Sequence, residues 1–348
     1  MRILAIETSC DETAASVIEG KGNKITVLSN IVSSQIDIHR KYGGVVPEVA
    51  AREHVLNILL VINEALEKAG IKKGDASKKI NAIAVSQGPG LITSLITGIE
   101  TAKCLAYAWN VPIIQINHIE GHIYSNFIDD APTKKDFPAL ILTVSGGHTM
   151  LVLMTDHGKF KTIGETRDDA AGEAFDKAAK LLGVGYPGGP EISRIASEFN
   201  AAVVGENKIN LPRPMIYSDN FDFSFSGLKT AIRYETEKDP NFKNRLPEYC
   251  HEFQQAVIDV LIHKAIKAAE KYKVKTVLLS GGVSANKELR LQFEKTVLEK
   301  LNNVKFKVPD LKYTTDNAAM IATAGYYRAF NKKFTPWQKI KVDCNLEI

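Results

Sequence analysis

Apolar and polar positions fall along this chain in blocks that predict their own elements. Ile3-Leu4-Ala5-Ile6 is a short continuous apolar run, the pattern of a buried strand, and residues 14–18 read as its hairpin mate. Between them lies a polar turn, Glu7-Thr8-Ser9-Cys10-Asp11-Glu12-Thr13. From Pro47 to about Lys68 the spacing becomes helical. Pro47 suits the first helical position, Leu56, Leu59, Leu60 and Leu66 keep the period, and Gly70 is placed to stop it. A strand over residues 82–86, the breaker Gly88-Pro89-Gly90, a helix to about Trp109 and a strand over residues 112–116 follow. Strands alternating with helices predict an α/β domain with a mixed or parallel sheet.

Residues 129–138 hold two prolines and read as a linker, and directly after them the opening pattern recurs. Residues 139–144 form an apolar strand, Ser145-Gly146-Gly147-His148-Thr149 a polar turn, and residues 150–154 a second strand. A strand–turn–strand opening in each half predicts two lobes built on one plan. Helices near residues 169–182, 226–237 and 248–272 follow. After them come a strand over residues 276–280, the turn Gly281-Gly282, a helix from Ser284 and a last helix near residues 316–330.

Composition narrows the class. With 348 residues, the prior is about two domains. Hydrophobic residues at 45% and charged residues at 24% exclude a disordered or collagen-like chain. The formal charge of +4 is compatible with a nucleic-acid partner without arguing for one. Cys10, Cys104, Cys250 and Cys344 are scattered with no C-x-x-C pair, which excludes a zinc ribbon, so His and carboxylates must supply most ligands of any metal. No apolar stretch approaches the roughly 20 residues that span a bilayer, and the N-terminal run is too short for a signal segment, so a reduced, cytoplasmic protein is expected.

Three tight turns could carry chemistry: residues 7–13, 145–149 and 281–286. Glycine lets a ligand approach the backbone, and strung N–H groups bind phosphate oxygens. Any one of these turns is explained as a plain connection, but three together argue for a nucleotide held between lobes. None matches the P-loop or the Rossmann pattern. His118-Ile119-Glu120-Gly121-His122 puts two imidazoles at i and i+4 on one helix face, the spacing a metal ion needs. The zinc-protease pattern does not fit. Its glutamate directly follows the first histidine, whereas Glu120 lies roughly 200° around the helix from His118. A third ligand should be a carboxylate, and Asp316, expected at the N-cap of the last helix, is one candidate among many.

Asp11 and Glu12 read either as general bases or as simple turn acids. Asp176, inside the small-residue run Ala170-Ala171-Gly172-Glu173-Ala174-Phe175-Asp176-Lys177, reads as a ligand contact or as a surface partner of Lys180. Between Arg328 and Lys341 there are five basic residues, no acid, and Phe330, Phe334 and Trp337. That pattern can touch RNA, although a solvated C-terminal tail is the simpler and favoured reading.

These segments together resemble one family. Ile6-Glu7-Thr8-Ser9-Cys10-Asp11-Glu12-Thr13 is similar to its opening signature. So are Tyr42-Gly43-Gly44-Val45-Val46-Pro47-Glu48, Gly88-Pro89-Gly90-Leu91, Asn117-His118-Ile119-Glu120-Gly121-His122 and Val144-Ser145-Gly146-Gly147-His148-Thr149. Further matches are Gly172-Glu173-Ala174-Phe175-Asp176-Lys177, Tyr186-Pro187-Gly188-Gly189-Pro190, Asp222-Phe223-Ser224-Phe225-Ser226-Gly227-Leu228-Lys229-Thr230, Gly281-Gly282-Val283-Ser284-Ala285-Asn286 and Thr315-Asp316-Asn317-Ala318-Ala319-Met320. The family is the bacterial-type tRNA threonylcarbamoyladenosine transferase, TsaD, long called a sialoglycoprotein endopeptidase.

The resemblance implies an α/β, two-lobed actin/Hsp70/sugar-kinase fold with an interlobe cleft, one lobe from residues 1–130 plus 317–348 and the other from residues 131–316. It implies transfer of a threonylcarbamoyl group from threonylcarbamoyl-AMP to N6 of the adenine 3′ of the anticodon, in tRNAs reading codons that begin with A, with release of AMP. By matching positions, His118, His122 and Asp316 become ligands of one divalent metal, Fe(II) or else Zn(II). Thr143, Val144, Ser145, Gly146, Gly147, Asp176, Gly189 and Asn286 become donor-binding residues. Implied partners are tRNA, the TsaB paralogue and the TsaE ATPase. Two positions depart from relatives: Thr143 stands where archaeal and eukaryotic members carry a tyrosine able to ligate metal, and Ile92-Thr93-Ser94 is bulkier than usual. A noncatalytic nucleotide-binding subunit and a phosphotransferase of the same fold are the other classes such a chain could serve.

Overall fold

The structure, a computed structural model, describes residues 1–200 and 209–348. The chain forms two compact units, Met1–Thr133 with Pro309–Ile348, and Lys134–Val308. The first begins with β1 (Arg2–Glu7), β2 (Glu12–Lys21), β3 (Lys24–Ser34), α1 (Ile36–Arg40) and α2 (Pro47–Lys68). It continues with α3 (Ala76–Lys79), β4 (Ala82–Gly88), α4 (Ile92–Trp109), β5 (Ile113–Asn117) and α5 (His118–Tyr124). The second unit contains β6 (Ala139–Val144), β7 (Thr149–Asp156), β8 (Lys159–Glu165), α6 (Ala171–Leu182) and α7 (Gly188–Ala196). After these come α8 (Ser226–Lys238), α9 (Leu246–Tyr272), β9 (Thr276–Ser280), α10 (Lys287–Lys300) and β10 (Lys305–Lys307). The last helix, α11 (Ala318–Phe330), belongs to the first unit.

Each unit carries a five-stranded sheet, in the orders β3-β2-β1-β4-β5 and β10-β9-β6-β7-β8. Traced outward from the first strand of each unit, these are one order. The first strand sits in the middle, antiparallel to its hairpin mate and parallel to the strand that returns after a helix. Hairpins join antiparallel neighbours, whereas a parallel neighbour needs a long crossover, here α2 or the helices between β8 and β9. This duplicated mixed-sheet plan is the one expected of the actin/Hsp70/sugar-kinase class.

Six elements lie outside the sequence reading: β3, β8, β10 and the helices α1, α3 and α7. The three strands stand at sheet edges. An edge strand is half solvated, and β8 keeps only Gly164 buried, so none shows an apolar run. On α2 the period is as expected, but the buried stripe is Ala50, His54, Ile58, Val61, Ile62, Ala65 and Leu66. Leu56, Leu59 and Leu60 point outward, each more than half exposed, together with Val55.

The first core lies between its sheet and helices α2 and α4, with Leu4, Ile6, Val17, Ile58, Ile62 and Ile99 among its members. On the other face α11 packs on β1 and β2. Residues 309–316 belong to this unit, with Tyr313 packed against Ile128, Ala319 and Val27. In the second unit α6, α8 and α9 close over β6, β7 and β9 around Phe175, Phe223, Phe225 and Phe253.

Candidate functional site

In the first unit, α5 starts where β5 ends. Asn117 caps it, its side-chain oxygen accepting from the N–H groups of Ile119 at 2.8 Å and Glu120 at 3.2 Å. The same side chain donates to the carbonyls of Leu346 and Glu347. A seven-residue helix is marginal by itself, so these contacts hold it in register. His118 and His122 share one face, with ring centroids 4.7 Å apart. Between them Gly121 faces α11, where a Cβ would come within 2.6 Å of Ile321 Cδ1. The absent side chain lets the start of α11 approach α5.

That approach brings in Asp316. Its Oδ1 lies 3.1 Å from His122 Nε2 and 3.5 Å from His118 Nε2. One ligand atom from each of the three residues falls within 4.8 Å of the others. The N-cap is Asn317, which accepts from the N–H of Met320 at 3.1 Å, so Asp316 stands one residue before the cap and not at it as expected.

The imidazoles are oriented from behind. Glu7 Oε2 and Ser9 Oγ both lie 3.1 Å from His118 Nδ1, and Ser86 Oγ donates to Glu7. With Nδ1 engaged by a carboxylate, Nε2 faces Asp316, the tautomer a metal-binding histidine uses. Burial opposes charge on both groups, yet the pair sustains it without a metal: Glu7 and Asp316 hold His118 up to about 9, and His118 holds Glu7 below the usual carboxylate range. The turn is pinned to α2 through His54, which bonds Thr13 Oγ1 at 2.7 Å and the Cys10 carbonyl at 2.9 Å. Burial, then Asp316 and Asp11, raise Glu12 well above the ordinary carboxyl range. Burial beside Asp11, Asp316 and Glu12 also raises Cys10, keeping it a thiol at neutral pH.

His122 tests whether this set fits a metal. It is fully buried, and neither ring nitrogen makes a hydrogen bond, since Asp316 is near but misaligned. A buried imidazole without partners is costly, and a divalent ion accepting its lone pair would remove the deficit. Two imidazoles and a carboxylate suit borderline divalent metals and leave coordination positions open. The set can hold a metal ion. Glu120, by contrast, is engaged bidentately by Arg328, whose Nε lies 3.1 Å from Oε1. It is no base beside the pair, as the helical geometry predicts.

In the second unit the turn Ser145-Gly146-Gly147 follows β6 and Asn286 follows β9, the two strands being parallel neighbours. Thr143 and Ser280 are partners on adjacent parallel strands, with hydroxyls 3.0 Å apart, so the turns after β6 and β9 leave the sheet together. Thr143 and Val144 are buried in the sheet, while in the first unit Asp11 closes the turn and Glu12 opens β2. The Ser145 N–H is used by the His148 carbonyl at 2.8 Å, but Gly146 and Gly147 stand exposed, and a Cβ on either would meet nothing within 4 Å. Gly172, in the first turn of α6, lies against them, and a Cβ there would meet Ser145 O at 2.6 Å. Asp176 accepts from the N–H of Gly188 at 2.6 Å, which fixes the start of α7 beside Gly189. Asn286 caps α10 through the Leu289 N–H at 2.9 Å and donates to Gln254 at 2.8 Å. Lys177, next to Asp176, bridges Asp169 and Glu173.

Sequence reasoning passed over two residues as individuals. Glu7 is a carboxylate ending an apolar strand, a signal in itself because nothing but a buried partner stabilises it there. Arg328 was read only as part of a basic run.

The family model described as "TsaD: tRNA N6-adenosine threonylcarbamoyltransferase" matches residues 26–323. A curated tRNA N6-adenosine threonylcarbamoyltransferase of Syntrophomonas wolfei is 47% identical over 335 residues, covering 96% of this chain and 94% of that protein. Enzymes of the same name from Bacillus cereus and Dehalococcoides mccartyi are each 49% identical, over 93% and 96% of this chain and 90% and 95% of theirs. Among solved structures, HypF of T. kodakarensis aligns over 97% of this chain with a TM-score of 0.63 at 14% identity. This chain spans 49% of that protein, and the likeness concerns the fold alone.

Proposed function

The chain belongs to the TsaD family and is a tRNA N6-adenosine threonylcarbamoyltransferase, and on that premise we propose that its donor is threonylcarbamoyl-AMP and that His118, His122 and Asp316 hold one divalent metal ion. The observation that carries the metal reading is His122, fully buried with both ring nitrogens lacking a hydrogen bond and a carboxylate 3.1 Å away. Two histidines and one carboxylate suit both Fe(II) and Zn(II), and the family resemblance places Fe(II) first. Such an ion supplies Lewis acidity toward carbamoyl and phosphate oxygens.

In the reaction, N6 of the adenine 3′ of the anticodon bonds to the carbamoyl carbon. The bond from that carbon to the phosphate oxygen breaks, and AMP and one proton leave. Asp11 or Glu12 takes the proton, acting from the turn that also carries Glu7 and Ser9. Glu7 fixes the His118 tautomer and so acts as a positioning residue. The N–H groups of Gly146 and Gly147 bind the phosphate of the donor. Gly282, where a Cβ would meet nothing, and Gly189, where a Cβ would meet only Phe175 Cβ at 4.0 Å, leave room for its nucleoside. Thr143, Val144 and Ser145 shape the turn, while Asp176 and Asn286 hold the helix starts around it.

The substrates are tRNAs reading codons that begin with A. We assign the TsaB paralogue and the TsaE ATPase as partners; the exposed Val55, Leu56, Leu59 and Leu60 of α2 support docking of the paralogue, because a solvent-facing apolar stripe on a folded helix marks a protein interface. Among the described residues no helix is long and apolar enough to cross a membrane, and the four cysteines are unpaired, which suits a reducing cytoplasm.

Mass spectrometry of tRNA incubated with ATP, threonine, bicarbonate and the partner proteins tests the reading. Threonylcarbamoyladenosine should form only when this chain is added. Phosphate transfer to another acceptor in its place would contradict the proposal.

A further inference from the structure

The segment after α11 carries chemistry that the metal centre does not use. Residues 329–342 contain Lys332, Lys333, Lys339 and Lys341 and no acid, so this short stretch holds as much positive charge as the +4 of the whole chain. All four lysines are exposed, and none has an ion-pair partner among the described residues. Some exposed cations elsewhere in the same unit are neutralised, as in Arg52–Glu48 at 2.6 Å and Lys68–Glu64 at 2.9 Å, and others such as Lys21, Lys24 and Lys41 stand singly along the chain, whereas here four fall within ten residues.

The aromatic residues of the stretch also face outward. Phe330 is 70% exposed and Phe334 39%. Trp337 stands edge-on to Tyr107 of α4, with centroids 5.6 Å apart, and Tyr107 is itself 72% exposed. These groups sit on fixed structure. The N–H of Thr335 donates to the Ile113 carbonyl at 2.9 Å, its hydroxyl bonds Gln115 Oε1 at 3.0 Å, and Ile340 is buried in the first unit's core. Rings held in water beside uncompensated lysines match what unpaired RNA requires, a stacking face for bases and cations for phosphates. A protein partner fits less well, because lysine is depleted at protein interfaces.

We propose that the surface built by residues 330–341 and Tyr107 binds unpaired nucleotides of the tRNA substrate, the rings stacking on bases and the lysines neutralising phosphates. This rests on the transferase reading for the identity of the RNA. The nearest acid on α4, Glu100, is paired with Lys103 at 2.7 Å and does not oppose an incoming phosphate with an open charge.

Binding of the full chain to a tRNA transcript, measured over a range of salt concentrations, tests the surface. In K332Q/K333Q/K339Q/K341Q the slope of log Kd against log salt should fall by about three, with affinity near physiological salt lower by roughly tenfold or more. Y107A and F330A, both at exposed rings, should each weaken binding by roughly tenfold and leave the salt slope unchanged. At saturating tRNA all variants should keep wild-type kcat, with KM for tRNA raised. A slope and Kd equal to wild type in the four-lysine variant, with unfolding temperature unchanged, overturns the proposal. Loss of a protein partner with RNA binding intact overturns it too and assigns the surface to that partner. Wild-type transfer measured in parallel separates the two failures: its absence counts against the transferase reading, while normal transfer with unaltered RNA binding counts against this surface alone.

Discussion

The turn between β1 and β2 and the turn between β6 and β7 occupy the same place in two sheets of one strand order, yet they are finished in opposite ways. In the first, Glu7, Thr8 and Ser9 are buried and tied to His118, Ser94 and Ser86. In the second, Gly146 and Gly147 are exposed and bear no side chain. Buried carboxylates and imidazoles persist only where charges or a metal compensate them, so the first turn has been committed to holding side chains at one point. The second bears exposed backbone without side chains, which on the proposed reading faces the donor's phosphate. A duplicated scaffold thus presents side-chain chemistry in one unit and backbone chemistry in the other. Buried charge follows the same division. In the second unit Lys264 is fully buried but structural, donating to Ser218 Oγ at 2.7 Å and to the Asn220 carbonyl at 3.1 Å.

The largest expected effect is on the first turn's targets. His122→Ala or Asp316→Asn should abolish metal retention and lower transfer by roughly a thousandfold or more, measured by elemental analysis and by nucleoside mass spectrometry. Unchanged transfer with no metal bound would remove the distinction between the two turns. Next in size, Glu7→Gln keeps the shape but loses the charge behind His118. Metal affinity should drop by about 10–100-fold, read by competition with a chelator.

Glycine-to-alanine changes sharpen the contrast. Gly147→Ala enters open space, so stability should stay within about 0.5 kcal/mol while KM for the donor rises roughly tenfold. Gly172→Ala would press a Cβ against the backbone of Ser145 and Gly146, and should lower stability by about 1–3 kcal/mol in a urea titration.

The smallest effect concerns Lys264. Burial pushes its pKa down to about 8, so the unfolded chain binds more protons between pH 8 and the ordinary lysine value. Stability from this group therefore rises with pH across that window. Relative to Lys264→Met, which cancels the other titrations, wild type should gain on the order of 1 kcal/mol from pH 7.5 to 9.5. No relative gain would show that the ammonium is fully stabilised by its two oxygens.

Much of this was legible in the sequence because central strands and two-sided helices leave strong periodic signals. β1, β6 and β9 are buried on both faces and read as apolar runs, and α2 is framed by Pro47 and the positive-φ Gly70. Edge strands β3 and β8 escaped because solvent on one side permits charges there. On α2 periodicity located the helix but not its inward side, since both stripes are apolar and packing alone separates Ile58 and Ile62 from Leu56 and Leu60. The His118–His122 spacing announced a pair of ligands. Spacing could not select Asp316, nearly two hundred residues away; that selection depends on α11 lying against Gly121. Glu7 and Arg328 were likewise invisible as partners, because their meaning is set by what the fold brings opposite them.

The central claim is that the first unit's buried His118, His122 and Asp316 hold a metal ion the transfer reaction needs. The most direct test strips metal from anaerobically purified protein and measures threonylcarbamoyladenosine formation, with its partners present, before and after stoichiometric Fe(II) or Zn(II) is returned. The account predicts that activity disappears on stripping and returns with one ion per chain in wild type but not in His122→Ala. Full transfer by the stripped protein would contradict it.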